Sequence, residues 1–251
     1  MRIVLFALTG MGNETLKSLL TLVSRTELLV FTRGETNPFP YYQCEPLKLL
    51  CKSLNVTFYS DCDFRSEFVS QIISEFSPDI GITATFHRIL PKNIRDIFRL
   101  GCFNIHSSLL PNFRGPTPTA WTILHDELLS GLTFHEMTDT VDVGNILHQV
   151  KISVNQMNDG ELRHRLSLLA GSEIPNFMET ITTRVNSFDQ QSQNSGSSQP
   201  HILSEAGLHI INSNHFATSL IQRSTTPYPG YEQFLEKLHA QKAITSRGLQ
   251  V

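Results

Sequence analysis

Between Gly101 and Ile146 the chain sets an amide, an imidazole and a carboxylate among loops stiffened by glycine and proline. The stretch opens Gly-Cys-Phe-Asn-Ile-His (101–106), continues Ser-Ser-Leu-Leu-Pro-Asn-Phe-Arg-Gly-Pro-Thr-Pro (107–118) and closes on Val-Asp-Val-Gly-Asn-Ile (141–146). Asn104 and His106 are two residues apart, so on a strand both side chains project from one face. A carboxamide N–H beside an imidazole can stabilise negative charge building on an oxygen, and an imidazolium can donate as well. A carboxylate such as Asp142 can orient a histidine and raise its pKa. Taken singly, each residue has an ordinary structural use. Asn104 can form a turn, His106 can bond to backbone at a strand end, and Asp142 can precede Gly144 in a turn. No G-x-S-x-G elbow and no H-E-x-x-H helix accompanies them.

The elements that must hold these groups follow from hydrophobic pattern. Arg2–Leu8 is an apolar run ended by a Gly-containing turn, as in a fully buried strand. Asn13 is placed to cap a helix through Leu16, Leu19, Leu20 and Val23. Glu27–Thr32, Val56–Tyr59, Ile80–Phe86 and Cys102–His106 read as further strands, alternating with helices at Pro46–Leu54, Phe68–Phe76 and Lys92–Phe98. Strand, glycine turn, helix, strand predicts an α/β fold with a doubly wound, mostly parallel sheet. Beyond residue 106 the parallel pattern loosens: Pro118 starts a helix, and Leu132–Met137 and Ile146–Val154 are strands flanking the Thr138–Asn145 loop. A long helix follows from Asp159, with Pro175 expected to kink or split it. Residues 1–185 thus read as one catalytic domain, and the polar stretch 186–200 as a mobile linker. Residues 201–251 read as a short extension with helices near His215–Gln222 and Tyr231–Gln241.

Composition narrows the class. The 251 residues are 40% apolar and 17% charged, with a net charge of −3, which suits a chain with a sizeable core and lacks the basic footprint of a nucleic-acid binder. The first strand is too short and lacks a cleavage site for a signal peptide, and no run is long enough to span a bilayer. A cytoplasmic location with no membrane partner is expected. Cys44, Cys51, Cys62 and Cys102 have no C-x-x-C spacing, so reduced thiols and no metal are expected.

Together the motifs are more specific than their parts. Asn-Ile-His-Ser-Ser-Leu-Leu-Pro-Asn-Phe-Arg-Gly, followed 36 positions after His106 (142 − 106) by Asp-Val-Gly, resembles the formyltransferases that use 10-formyltetrahydrofolate. Ser107 departs from the proline that many members carry, on a side chain that alternates away from His106. The resemblance covers residues 1–185 and implies a Rossmann-like formyltransferase fold with Asn104, His106 and Asp142 catalytic. It implies direct transfer from 10-formyltetrahydrofolate as co-substrate, with no metal. Phe86, Arg88, Ile89 and Leu90, with Thr138, Asp139 and Val141, are the implied folate contacts. Gly10, Met11, Gly12 and Asn13 are the implied phosphate turn, since amides at a helix N-terminus suit an anion.

Three acceptor classes compete. Arg114, Gly115, Pro118 and Trp121 resemble the methionyl-tRNA and sugar-nucleotide branches more than the glycinamide ribonucleotide branch. The segment ending Thr-Pro-Tyr-Pro-Gly (226–230) is similar to one in both of those branches. Only 21 residues follow Gly230 (251 − 230), too few for the basic barrel that holds tRNA, so a tRNA partner is not expected. The expectation is an N-formyltransferase acting on a dTDP- or GDP-linked 4-amino-4,6-dideoxy sugar for O-antigen or other cell-surface glycan, working as a homodimer. Ser108, Arg114, Gly115, Trp121 and Tyr228 join the turn as implied substrate contacts. Tyr41, Tyr42, Trp121 and Tyr228 can stack on a base or sugar, or simply pack. A methionyl-tRNA formyltransferase-like enzyme and a catalytically silent folate- or sugar-nucleotide-binding protein are the alternatives.

Overall fold

The structure is a computed structural model that describes residues 1–34, 44–183, 191, 196–214 and 216–226. The readings at Tyr41, Tyr42, Tyr228 and the helix at 231–241 lie outside the described residues.

The chain begins with β1 (Ile3–Ala7), every residue of it buried. The pattern predicts Asn13 as the cap of the next helix, but α1 (Met11–Leu19) starts three residues earlier, with Gly10 as its N-cap residue. Asn13 instead turns back, its Oδ1 accepting the Gly10 N–H at 3.0 Å. Next come β2 (Leu28–Thr32), α2 (Leu47–Ser53), β3 (Thr57–Ser60), α3 (Glu67–Phe76) and β4 (Ile80–Ala84). The short helix α4 (Lys92–Arg95) precedes β5 (Cys102–His106), whose bounds are those read from the sequence. After α5 (Pro118–Leu124), strands β6 (Leu129–Glu136) and β7 (Ile146–Ser153) form an antiparallel pair.

The seven strands make one sheet in the order β3-β2-β1-β4-β5-β6-β7, parallel up to β5 and antiparallel beyond. Its two faces are legible in β1 alone. Ile3, Leu5 and Ala7 pack toward one apolar cluster with α1, α2 and the long helix α6 (Asp159–Thr183). Val4 and Phe6 point into the other, with Val69, Ile73 and Ile94 of α3 and α4. Period-two alternation with apolar residues at every position is what a strand covered on both sides requires.

Pro175 does not split α6, which runs unbroken over 25 residues. An internal proline costs about 3 kcal/mol. Leu166, Ala170, Ile174, Phe177 and Ile181 of this helix are all buried. At roughly 1.5–3 kcal/mol per large apolar side chain, that packing outweighs the lost rung.

The segment read as a free linker is partly docked. Ser198 bridges Arg114 in parallel register, and Gln199 N–H donates to the Arg114 carbonyl at 2.9 Å. After it come α7 (Glu205–Ser213), which the pattern does not predict, and α8 (Thr218–Thr225), close to the expected His215–Gln222 helix. Ile202, Leu208, Ile211 and Ile221 close a third apolar cluster over Phe113, Trp121 and Leu124. Among the described residues no helix is long and apolar enough to cross a membrane.

Candidate active site

β5 carries Asn104 and His106 on one face, at the carboxyl end of the last parallel strand and one strand from the β1/β4 reversal of strand order. Ligand crevices of open α/β sheets form outside the carboxyl ends, at such a reversal. Asp142 arrives from the β6–β7 loop with φ 56, a left-handed conformation that aspartate tolerates better than most residues. Gly144 lets the loop close. A Cβ there would sit 1.9 Å from the Glu136 carbonyl oxygen, so no larger residue fits beside the strand end.

The three side chains converge. Asp142 Oδ2 lies 3.5 Å from His106 Nδ1, and its Oδ1 accepts from Asn104 Nδ2 at 3.4 Å. The Gly115 N–H donates to Asp142 Oδ2 at 2.9 Å, and the Arg114 guanidinium Nε donates to the Asp142 carbonyl at 3.1 Å. Burial pulls the Asp142 pKa up. The His106 charge beside it, the His135 ring and the Gly115 N–H outweigh this and hold the carboxyl well below the usual range. Asp142 is therefore a carboxylate at neutral pH. His106 is buried, and that burial pushes its pKa below the ordinary histidine value although Asp142 pulls the other way.

The sequence reading missed His135. Strand β6 pairs antiparallel with β5 so that His135 faces Asn104, and its Nε2 lies 3.1 Å from Asn104 Nδ2. Its Nδ1 lies 2.8 Å from the Glu136 carbonyl, an acceptor only, so the proton sits on Nδ1 and Nε2 receives the amide. Thr83 on β4 sets the other end of the amide, donating to Asn104 Oδ1 at 2.5 Å. The Asn104 nitrogen is thereby turned toward His135 and Asp142. A histidine in a strand's alternating pattern gives no signal of its own; only the β5–β6 register reveals it.

An open cleft of about 450 Å³ is lined by Thr138, Asp139, Thr140, Val143, Gly144, Asn145 and Gln191, with Val143, the chain neighbour of Asp142, on its wall. That volume is ample for a cofactor headgroup. Thr138 and Asp139 are expected there; Val141 is 52% exposed but not on the wall, and Val143 takes that place. Gln191, from the stretch read as linker, bridges the two loops. Its Nε2 donates to the Gly144 carbonyl at 2.7 Å, and its Oε1 accepts from Arg114 at 3.1 Å. In the Phe86–Leu90 loop, Arg88 and Ile89 are exposed. Phe86 packs against Phe6 and Phe64, and the Leu90 side chain is in the core while its carbonyl accepts from Arg95 Nε at 3.2 Å.

Other expected contacts are placed differently. Trp121 is fully buried, with its indole N–H on the Pro200 carbonyl at 2.7 Å, so it offers no face to a base or sugar. Ser108 is buried too and donates to the Asn112 carbonyl. Arg114 and Gly115 hold Asp142, as above. The Gly10–Asn13 turn is engaged with itself and its neighbours. The amides of Gly10, Gly12 and Asn13 donate to Asn13 Oδ1, the Leu8 carbonyl and the Gly10 carbonyl, and Gly10, Met11, Gly12 and Asn13 are all buried.

A half-buried amide meeting a buried imidazole and a buried carboxylate at the carboxyl end of a doubly wound sheet is the equipment for group transfer at a carbonyl carbon. The chain belongs to the formyl transferase family, whose profile matches residues 32–175. It is 33% identical over 143 residues to a methionyl-tRNA formyltransferase of Macrococcus caseolyticus, covering 56% of this chain and 46% of that one. It is 30% identical over 191 residues to the Syntrophus aciditrophicus enzyme of that name, covering 76% of this chain and 61% of the other. The chain thus spans about half to three fifths of the length of these curated relatives. Among solved structures, the sugar 3N-formyl transferase WlaRD, determined in the presence of dTDP and 5-N-formyl-THF, superposes with a TM-score of 0.65 at 16% identity. That match covers 89% of this chain and 77% of the other and shows the shared fold.

Proposed function

We propose that this chain is an N-formyltransferase that moves the formyl group of 10-formyltetrahydrofolate to the primary amine of a nucleotide-linked amino sugar. The observation that carries the reading is the contact set of Asn104, His106 and Asp142 at the carboxyl end of β5. The folate supplies an activated formyl carbon. We assign its ring system to the cleft lined by Thr138, Asp139, Thr140, Val143, Gly144 and Asn145.

The amine attacks the formyl carbon, a C–N bond forms, and the bond to the folate nitrogen breaks. Negative charge that builds on the formyl oxygen meets the Asn104 amide, whose 3.4 Å bond to Asp142 is the long one and is readily exchanged for a new acceptor. His106 adds positive charge there once it gains a proton. Asp142, ionised at neutral pH, receives the proton shed by the amine and passes it to the departing nitrogen. Each bond made is matched by one broken, and no covalent adduct to the protein is required.

The sugar acceptor is supported by the extent of the WlaRD match, which covers 89% of this chain, more than residues 1–185 alone could supply. A second reading has its own support: the relatives at 33% and 30% identity are methionyl-tRNA formyltransferases. The test is formyl transfer from 10-formyltetrahydrofolate to dTDP- and GDP-linked amino sugars and, separately, to charged initiator tRNA. Sugar turnover supports the first reading, tRNA formylation with no sugar turnover replaces it with the second, and neither with bound folate leaves a silent binding protein.

A further inference from the structure

We propose that Ser197 is a positioning residue for His106, acting through Phe113 to keep the neutral imidazole protonated on Nε2 and its Nδ1 open toward Asp142. The role in catalysis rests on the formyl-transfer reading; the tautomer does not.

Phe113 is the connecting piece. It sits at φ 57, a conformation costly for a bulky non-glycine residue. Such a conformation persists only where the surroundings over-determine it. Here its N–H donates to Ser197 Oγ at 2.9 Å, and its side chain is buried in the cluster formed by Trp121, Ile202 and Leu208. The next residue is tied down as well: Arg114 N–H donates to the Ser197 carbonyl at 2.8 Å, and Gln199 N–H returns to Arg114 at 2.9 Å. Gly115 has no alternative path, because a Cβ there would lie 2.3 Å from the Gln199 carbonyl oxygen.

So held, the Phe113 carbonyl lies 3.0 Å from His106 Nε2. A carbonyl only accepts, so Nε2 carries the hydrogen. The other nitrogen, Nδ1, is 3.5 Å from Asp142 Oδ2, longer than a formed hydrogen bond of ordinary length. The neutral ring therefore presents an open Nδ1 to the carboxylate. A proton leaving the attacking amine can be shared between Asp142 and Nδ1, which charges the ring, and is then released to the nitrogen of the departing tetrahydrofolate. One proton enters and one leaves, and the ring returns to its Nε2–H form. His135 carries its own proton on Nδ1, and its Nε2, also 3.5 Å from Asp142, is already taken by the Asn104 amide at 3.1 Å.

The experiment is nitrogen NMR of the full chain labelled in histidine, with the His106 signals assigned by their loss in His106→Gln. The expected result for the wild type at neutral pH is a protonated Nε2 and an unprotonated Nδ1; the reverse tautomer overturns the proposal. In Ser197→Ala a mixture of tautomers is expected. With it, kcat should fall about tenfold, the scale of one hydrogen bond's net worth, while the KM values stay within about twofold. Ser197→Thr, which keeps the hydroxyl, should restore both the tautomer and kcat. A Ser197→Ala protein with wild-type tautomer and kcat overturns the proposal even if its Tm falls. Should that variant not fold, the wild-type tautomer decides. If the wild type transfers no formyl group to any amine, the functional reading fails while the tautomer still tests this one.

Discussion

Two loops of this chain look alike in sequence and differ in structure. The Gly10–Asn13 turn and the Asn104–Asp142 cluster both offer polar groups at carboxyl ends of parallel strands. In the turn the backbone amides are satisfied across three or four residues, with one longer reach from Asn13 Nδ2 to the Glu45 carbonyl at 2.9 Å, and Gly12 is pressed against Ala7 and Leu47. In the cluster, groups from β5 and the Phe113–Gly115 loop are drawn from 27 to 38 residues away onto one carboxylate of the β6–β7 loop, where His135 of β6 joins them. A local set of hydrogen bonds stabilises a helix start. A set gathered over long range is held by the whole fold, can be strained or undersatisfied, and is where chemistry is found.

The largest expected break in this comparison is Asp142→Asn. Removing the carboxylate should lower kcat by about 10² to 10⁴ fold, the range for a positioned proton acceptor. Little loss of kcat would return Asp142 to the rank of a turn residue. Trp121→Ala should act on stability instead, costing about 3–5 kcal/mol by denaturant unfolding as a fully buried ring is removed. Unchanged stability with a raised acceptor KM would put Trp121 in the pocket after all. Asn13→Ala should cost about 1 kcal/mol, the worth of a helix-start hydrogen bond, read as a lower Tm. A kcat loss as large as that of Asp142→Asn would erase the distinction between the two loops.

The smallest effect is one of pH. The folded pKa of His106 lies below its unfolded value of about 6.5. As pH falls through that value the unfolded chain takes up a proton and the folded one does not, so stability drops toward acid. Asp142 works in the same direction, its contribution present above about pH 3.9 and lost below it. His106 faces Asp142, His135 and Arg114. Compared with His106→Asn, the wild type should therefore lose more stability between about pH 6.5 and 5. Equal slopes for the two proteins would show that His106 is not held neutral by burial.

What could be read from sequence follows the same division. Buried apolar runs with period two announced the strands of the parallel sheet, and β5 carried Asn104 and His106 to one face because alternation is a local rule. Asp142 was legible through its spacing in a known motif. His135, Thr83 and Gln191 were not, since each reaches the site by strand register or by a contact with a distant loop. Gln191 sits in a polar tract whose composition describes a linker. Trp121 was misjudged for a related reason. Every residue of α5 is buried, but the cover over Trp121 comes from Pro200 and the segment beyond it, about 80 positions on. Pro175 was read by its local cost, and the packing of a whole helix outweighed it.

The central claim is tested most directly by following formyl transfer, by mass spectrometry, from 10-formyltetrahydrofolate to a panel of dTDP- and GDP-linked amino sugars, with wild type and Asp142→Asn side by side. The expected result is one sugar nucleotide gaining a formyl group with the wild type, at a rate at least about a hundredfold above the variant. Formylation at equal rates by both proteins, or none by the wild type at saturating folate, would contradict it.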